Sequence, residues 1–300
     1  MTRVACIGEC MIELREEADG RLSRSFGGDT LNTAVYLARL GTRVDYITAL
    51  GDDSWSDELI AAWDAEGVGT DRVLRLPGRL PGLYIIQTDP KGERRFSYWR
   101  ETAAARLLFK APEAQPIIES LATYDLIYLS GISLSLYGDE GRARLFSVLR
   151  DARSAGKRVA FDTNFRPRGW PDQTVARTAF RQAFECADII LASTEDLDLL
   201  FGGTGVDALL AFSDRAEIVL KHPDLTCRVL SKGKEILVPS KPAEDVVDTT
   251  AAGDSFAAAY LNARLSGKSP EAAAQSGHRL AGQVVRHRGA IIRRDAMPNP

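Results

Sequence analysis

Strand-length apolar runs that alternate with amphipathic stretches predict an α/β protein, a mostly parallel sheet flanked by helices with a small β lid. Three observations carry this expectation. The apolar runs are short. The stretches between them repeat apolar residues at helical spacing. Two further segments break the rhythm and read as strands only.

Residues 4–8 read as the first strand. Leu31, Ala34, Val35 and Ala38 then recur at helical spacing, and Gly41 ends that helix. Residues 44–50 are strand-like, and residues 57–66 are helical up to Gly67. The pattern resumes with strands at 125–130, 158–162, 188–192 and 217–221. Helices are expected at 140–155, 173–186, 206–212, 253–265 and 270–286. Strands that alternate with helices imply right-handed β-α-β units in one domain over residues 1–300. The breaks fall at 11–25 and 80–99. Residues 83–89 and 94–99 read as two strands around the turn Asp89-Pro-Lys-Gly92. A lid formed from about residues 9–25 and 80–103 is expected. Its Tyr84, Tyr98, Trp99 and Arg100 suit a lid or an interface; a solvated hairpin is the alternative.

Bulk composition excludes several function classes. With 45% hydrophobic residues, the chain can bury a sizeable core. A net charge of -3 gives no electrostatic reason to expect nucleic acid or an anionic membrane as partner. No apolar stretch approaches the roughly 20 residues a membrane span needs. The opening apolar run is too short for a secretory signal and ends at Glu9. Cys6, Cys10, Cys186 and Cys227 show neither redox nor metal-finger spacing, so reduced cysteines and a cytoplasmic location are expected. His222, His278 and His287 are too scattered for a histidine metal site.

Asp248-Thr-Thr-Ala-Ala-Gly-Asp254 precedes an Ala-rich helical stretch. Small residues at Ala251, Ala252 and Gly253 let a phosphate approach the backbone, where helix-start N–H groups and the helix dipole favour negative charge. The chain has no Walker A loop. A carboxylate at Asp254 beside an anion hole suits a general base acting on a hydroxyl. It is also readable as a favourable first-turn acid. Earlier in the chain, Gly27 and Gly28 precede a helix and permit close backbone approach to a ligand. Asn32 offers donors and acceptors to a polyol, or a bond within its own first turn.

The later segment resembles the C-terminal signature of the PfkB (ribokinase-like) carbohydrate kinases. Gly27-Gly28-Asp-Thr-Leu-Asn32-Thr-Ala34 resembles that family's first signature, with Gly41 and Gly51 following. The resemblance spans essentially the whole chain and implies a ribokinase-like fold. It also implies an anion hole at Ala251, Ala252 and Gly253, Asp254 as base, and a sugar pocket at Gly27, Gly28 and Asn32. ATP and Mg²⁺ are implied as well.

Three further segments resemble the members of that family that act on 2-keto-3-deoxygluconate: Phe96-Ser-Tyr98-Trp99-Arg100, Asp162-Thr-Asn164-Phe-Arg166, and the C-terminal stretch that reaches Asp295. This sugar carries a carboxylate that an Arg fork reads bidentately. Arg100 and Arg166 are the candidates, with Tyr84 and Tyr98 for the keto and hydroxyl oxygens and Asp295 as a further sugar contact. Arg166 also fits the nucleotide phosphates. Asn164, Ser193, Lys221 and Gly253 are expected at the nucleotide, and Asp196 at the metal, with Glu195 as its substitute. The chain departs from the family pattern at two places. Ser193 stands where relatives carry Asn, and Pro223 stands where they carry Gly. A fructokinase or ribokinase, or a sugar-binding protein without kinase activity, are the competing readings. Strand edges in the lid make a homo-oligomer the expected assembly.

Overall fold

The computed structural model describes residues 2–17, 19–88 and 94–298. Strand β1 (Arg3–Ile7) is buried from Val4 onward. The chain then leaves it for a hairpin of β2 (Met11–Glu16) and β3 (Leu22–Gly27). Helix α1 (Asp29–Arg39) leads back to β4 (Arg43–Ile47). Residues 44–50, read as one strand, are two. After β4, β5 (Ala49–Leu50) turns away to pair with β6 (Leu74–Arg75). Between them lies α2 (Ser54–Ala65), which starts three residues before the expected position because the Asp53 carboxylate accepts from the Trp55 and Ser56 amides.

The hairpin β7 (Gly82–Thr88) and β8 (Arg94–Trp99) follows. Its expected turn at 89–92 lies outside the described residues. The body then alternates α3 (Gln115–Ser120), β9 (Leu126–Ser130), α4 (Gly131–Leu136), α5 (Gly138–Ser154), β10 (Arg158–Asp162) and α6 (Gln173–Cys186). Next come β11 (Ile189–Ser193), α7 (Thr194–Phe201), α8 (Gly205–Leu210), β12 (Glu217–Lys221), β13 (Cys227–Ser231) and β14 (Lys234–Val238). Helices α9 (Ala252–Leu265) and α10 (Pro270–Val284) finish the fold.

The main sheet has eight strands in the order β14-β13-β12-β11-β10-β9-β1-β4. The run from β12 to β4 is parallel, and β13 and β14 add antiparallel edges. Alternating side chains feed two apolar layers. Ile7, Leu129, Phe161, Ile190 and Leu220 pack with α3 through α8 on one face. Cys6, Tyr128, Ala160, Leu191 and Val219 pack with α1, α2, α9 and α10 on the other. No helix of the described residues is long and apolar enough to cross a membrane.

The segments that broke the helical rhythm form one sheet of order β3-β2-β7-β8. Its β2–β7 pair is parallel, and the other two are antiparallel. This sheet stands over the carboxyl ends of the main strands, where open parallel sheets bind ligands. Asp162, Ser193 and Lys221 are the last residues of three adjacent strands there.

Candidate active site

Two adjoining cavities, of about 570 and 610 Å³, lie between the two sheets. They share Met11, Gly28, Asp29, Phe96, Tyr98, Ile132 and Arg166 as walls.

The first cavity is built on the start of α9. Asp248 anchors the preceding loop: Oδ1 accepts from the Thr250 amide (2.9 Å) and hydroxyl (2.6 Å), and Oδ2 from the Gly289 amide (3.0 Å). Ala251 takes the left-handed conformation (φ 60°) and caps α9 without a side-chain hydrogen bond. That turn is unfavourable for any residue with a Cβ, and it leaves the first helical N–H groups without side-chain acceptors. The Ala252 amide turns back to the Thr249 carbonyl (3.2 Å), while Gly253 and Asp254 line the cavity.

Asp254 is held from α1. Asn32 Nδ2 donates to its Oδ2 (2.8 Å), and Thr33 Oγ1 donates to its backbone carbonyl (3.2 Å). Asn32 therefore bonds across to the later segment instead of within its own turn. Its Oδ1 is buried without a partner. Burial raises the Asp254 carboxyl well above the usual carboxylate range. The nearby Asp29 and Asp162 carboxylates add to the shift, and the Asn32 bond and Lys221 oppose it.

At the strand ends, Lys221 Nζ donates to Asp162 Oδ2 (3.4 Å). Burial pushes the ammonium down, but Asp162, Asp196 and Asp254 outweigh it, and the net shift is upward. Burial likewise raises Asp162, against the pull of Lys221. Asn164, at the strained φ of 25°, donates through Nδ2 to Asp29 (2.7 Å). Ser193 uses its hydroxyl to cap α7 at the Asp196 amide (3.1 Å). Asp196 accepts from Thr163 Oγ1 (2.8 Å) and faces Arg166 at 3.5 Å. Glu195 and Asp196 line the cavity. Among the described residues no group of three or more ligating side chains could hold a metal. One or two carboxylate oxygens fit a magnesium ion that keeps its waters and phosphate ligands.

The second cavity is lined by Arg100, Arg106, Arg166 and Arg168 beside Glu9, Asp29 and Glu101. The Tyr84 hydroxyl donates to Glu13, which also accepts from Ser25 Oγ (3.0 Å). Phe96 and Tyr98 stack in parallel on the inner face of the second sheet (centroids 6.2 Å apart).

Of the residues expected at the site, all but Asp295 line one or both cavities. The structure corrects the expectation for Asp295. It lies in an exposed closing turn, paired with Arg293 (2.7 Å) and outside both cavities, beyond a segment that the Tyr36 hydroxyl and Arg39 tie to α1. The Pro223 loop also stays out of both cavities. It closes as a tight hairpin in which the His222 amide donates to the Thr226 carbonyl (3.0 Å). Sequence reasoning missed Asp29, Asp162, Glu9 and Glu13. Asp29 directly follows the paired glycines and Asp162 closes a strand, signals that position could have supplied. Nothing local distinguishes Glu9 or Glu13 from solvated acids.

The chain is similar to the 2-dehydro-3-deoxygluconokinase of Dickeya dadantii (strain 3937), 48% identical with 98% of each chain covered. It is 45% identical to that of Escherichia coli (strain K12), with 99% of each covered. A crystal structure of fructokinase with bound ATP from Xylella fastidiosa superposes with a TM-score of 0.83 at 26% identity, covering 99% of this chain and 95% of that one. Residues 1–297 match the description of a pfkB family carbohydrate kinase, so the protein belongs to the pfkB family of carbohydrate kinases.

Proposed function

We infer that this protein transfers the γ-phosphoryl group of ATP to the 6-hydroxyl of 2-dehydro-3-deoxygluconate, the sugar acid also called 2-keto-3-deoxygluconate. The whole chain acts as one kinase domain, with the four-stranded sheet as its lid. One observation carries the reading of the site: a helix start with a carboxylate, at Asp254, and an arginine-lined chamber, at Arg100 and Arg166, adjoin beneath one sheet. A sugar with a hydroxyl at one end and a carboxylate at the other spans that arrangement. The full-length similarity to the two 2-dehydro-3-deoxygluconokinases supports the same substrate.

Asp254 accepts the proton as the 6-oxygen attacks phosphorus. The bond to the leaving phosphate breaks, and ADP departs. A raised proton affinity suits this base, because it brings the carboxyl nearer to the operating pH. Asn32 fixes the carboxylate that takes the proton. The N–H groups of Gly253 and Asp254 and the Lys221 ammonium face the charge on the transferring group. Asp196 or Glu195 would hold a magnesium ion brought in with ATP, which would neutralise the nucleotide phosphates.

A panel of sugars assayed with ATP tests the reading. The keto-deoxy acid should turn over far better than fructose or ribose. Arg100→Ala and Arg166→Ala should each raise its KM by roughly tenfold or more, the loss of one charge-assisted hydrogen bond. Faster turnover of fructose would assign the other sugar kinase activity, and no turnover of any sugar would leave only binding.

The outer face of the lid supports pairing of two copies. Leu14, Leu83, Ile85 and Trp99 share that face by strand register, and Trp99 is 58% exposed. Light scattering should give twice the monomer mass, and Trp99→Lys should return it to one; a monomeric wild type removes the interface.

A further inference from the structure

Glu9 sits between β1 and β2, where the chain passes from the main sheet to the lid. It is only 2% exposed, yet it lines the arginine chamber. Its Oε2 accepts from Arg100 Nη2. Glu9 Oε1 and Arg100 Nε are both buried without a partner. Space for the pair is left by Gly82, where a Cβ would lie 2.9 Å from Glu9 Oε1 and 3.3 Å from Arg100 Cβ. A carboxylate this buried is retained only with a fixed cation beside it. Burial pushes Glu9 up from the usual range, and Arg100 opposes that.

The contact engages one nitrogen of the guanidinium. The rest of the fork keeps donors for another oxygen, since Arg carries five N–H groups in a rigid plane. Arg100 follows the end of β8, on a long side chain whose orientation the strand alone does not set. Asp29 and Glu101 line the same chamber and would compete for it.

We propose that Glu9 is a positioning residue: it grips Arg100 by one nitrogen and holds the remaining donors toward the carboxylate of the sugar acid. The proposal rests on the acid-substrate reading above. Selectivity for an acid over a neutral sugar then depends on a residue that itself makes no contact with the substrate.

Steady-state kinetics of wild type, Glu9→Ala and Glu9→Gln on the keto-deoxy acid and its neutral methyl ester test this. Glu9→Ala should raise the acid KM by about tenfold, the scale of one charge-assisted bond. Its kcat, its KM for ATP and its KM for the ester should stay within about twofold, as expected when binding is lost equally in the ground and transition states. Glu9→Gln still offers an amide oxygen to Arg100, so it should recover most of the loss. An unchanged acid KM in Glu9→Ala overturns the role. So does a Gln variant no better than Ala, or a joint fall in kcat, ATP affinity and thermal midpoint. If the wild type fails to phosphorylate the acid, the substrate reading falls and takes this proposal with it; wild-type turnover with an indifferent Glu9→Ala overturns Glu9 alone.

Discussion

Asp254→Asn should lower kcat by at least about 10²-fold while the KM for the sugar moves little. The substitution keeps the size and one oxygen of the side chain, so α9 and its open amides stay in place. What it removes is the proton acceptor. The same variant should be more stable than the wild type at neutral pH. The folded-state pKa of Asp254 is raised, first by burial and then by Asp29. Above the ordinary carboxylate range the native protein therefore binds more protons than the unfolded chain, and stability falls as pH rises. Asn carries no such penalty. The gain in thermal midpoint should shrink toward zero as pH drops below the ordinary carboxylate range. Unchanged turnover would remove Asp254 as the base; an equal or lower midpoint at neutral pH would contradict the burial of a strained charge.

Gly28→Ala should nearly abolish activity through geometry alone. The φ of Gly28 is -179°, which any residue adopts, so the backbone conformation is not the obstacle. Contact is the obstacle. A Cβ at Gly28 would sit 2.2 Å from the Glu9 carbonyl oxygen and 3.1 Å from Cys10 Cα. Both are backbone atoms and cannot swing aside, so the start of α1 must shift. Overpacking of this kind costs about 1–3 kcal/mol in stability. Asn32 lies one turn further on and holds Asp254, so the shift reaches the reacting atoms. A misplacement of about 1 Å there costs on the order of 10²-fold in rate. Gly41→Ala is the control: its φ is +84°, and no atom lies within 4 Å of the added Cβ. It should cost stability through strain and leave kcat unaltered. Wild-type kinetics in Gly28→Ala would show that the close approach has no part in the site.

Much of the fold was legible because its signals are local. Apolar runs at residues 125–130 and 158–162 correspond to β9 and β10, and Gln173–Cys186 is the helix expected there. Errors gathered where neighbours decide. Residues 44–50 read as one strand, but only residues Arg43–Ile47 find a partner in β1, and Ala49–Leu50 pairs elsewhere. Helix α7 has the polar start Thr-Glu-Asp; the Ser193 hydroxyl, expected at the nucleotide, caps it, and Leu197 and Leu200 bury its inner face.

The candidate site divides in the same way. The paired glycines, Asn32, and the Asp248–Asp254 segment could be singled out from the sequence, because a tight turn before a helix and a carboxylate at a helix start have the same chemistry in any tertiary setting. Three facts could not. Asn32 and Asp254 are 222 positions apart, and only the packing of α1 on α9 puts a hydrogen bond between them. Asp295 lies among residues that resemble those of the sugar-acid kinases, yet contacts of its segment with Tyr36 and Arg39 of α1 leave it in an exposed turn outside both cavities. Glu9 and Arg100 are 91 positions apart and become an ion pair only when β8 is laid beside β7 over the end of β1. The chain's own order of residues determined which elements form and which chemistry they carry, through short-range sterics and hydrogen bonding. Tertiary packing alone decided which charges meet and how far burial raises the proton affinity of Asp254, because desolvation and long-range contacts belong to the folded molecule and not to any segment of it.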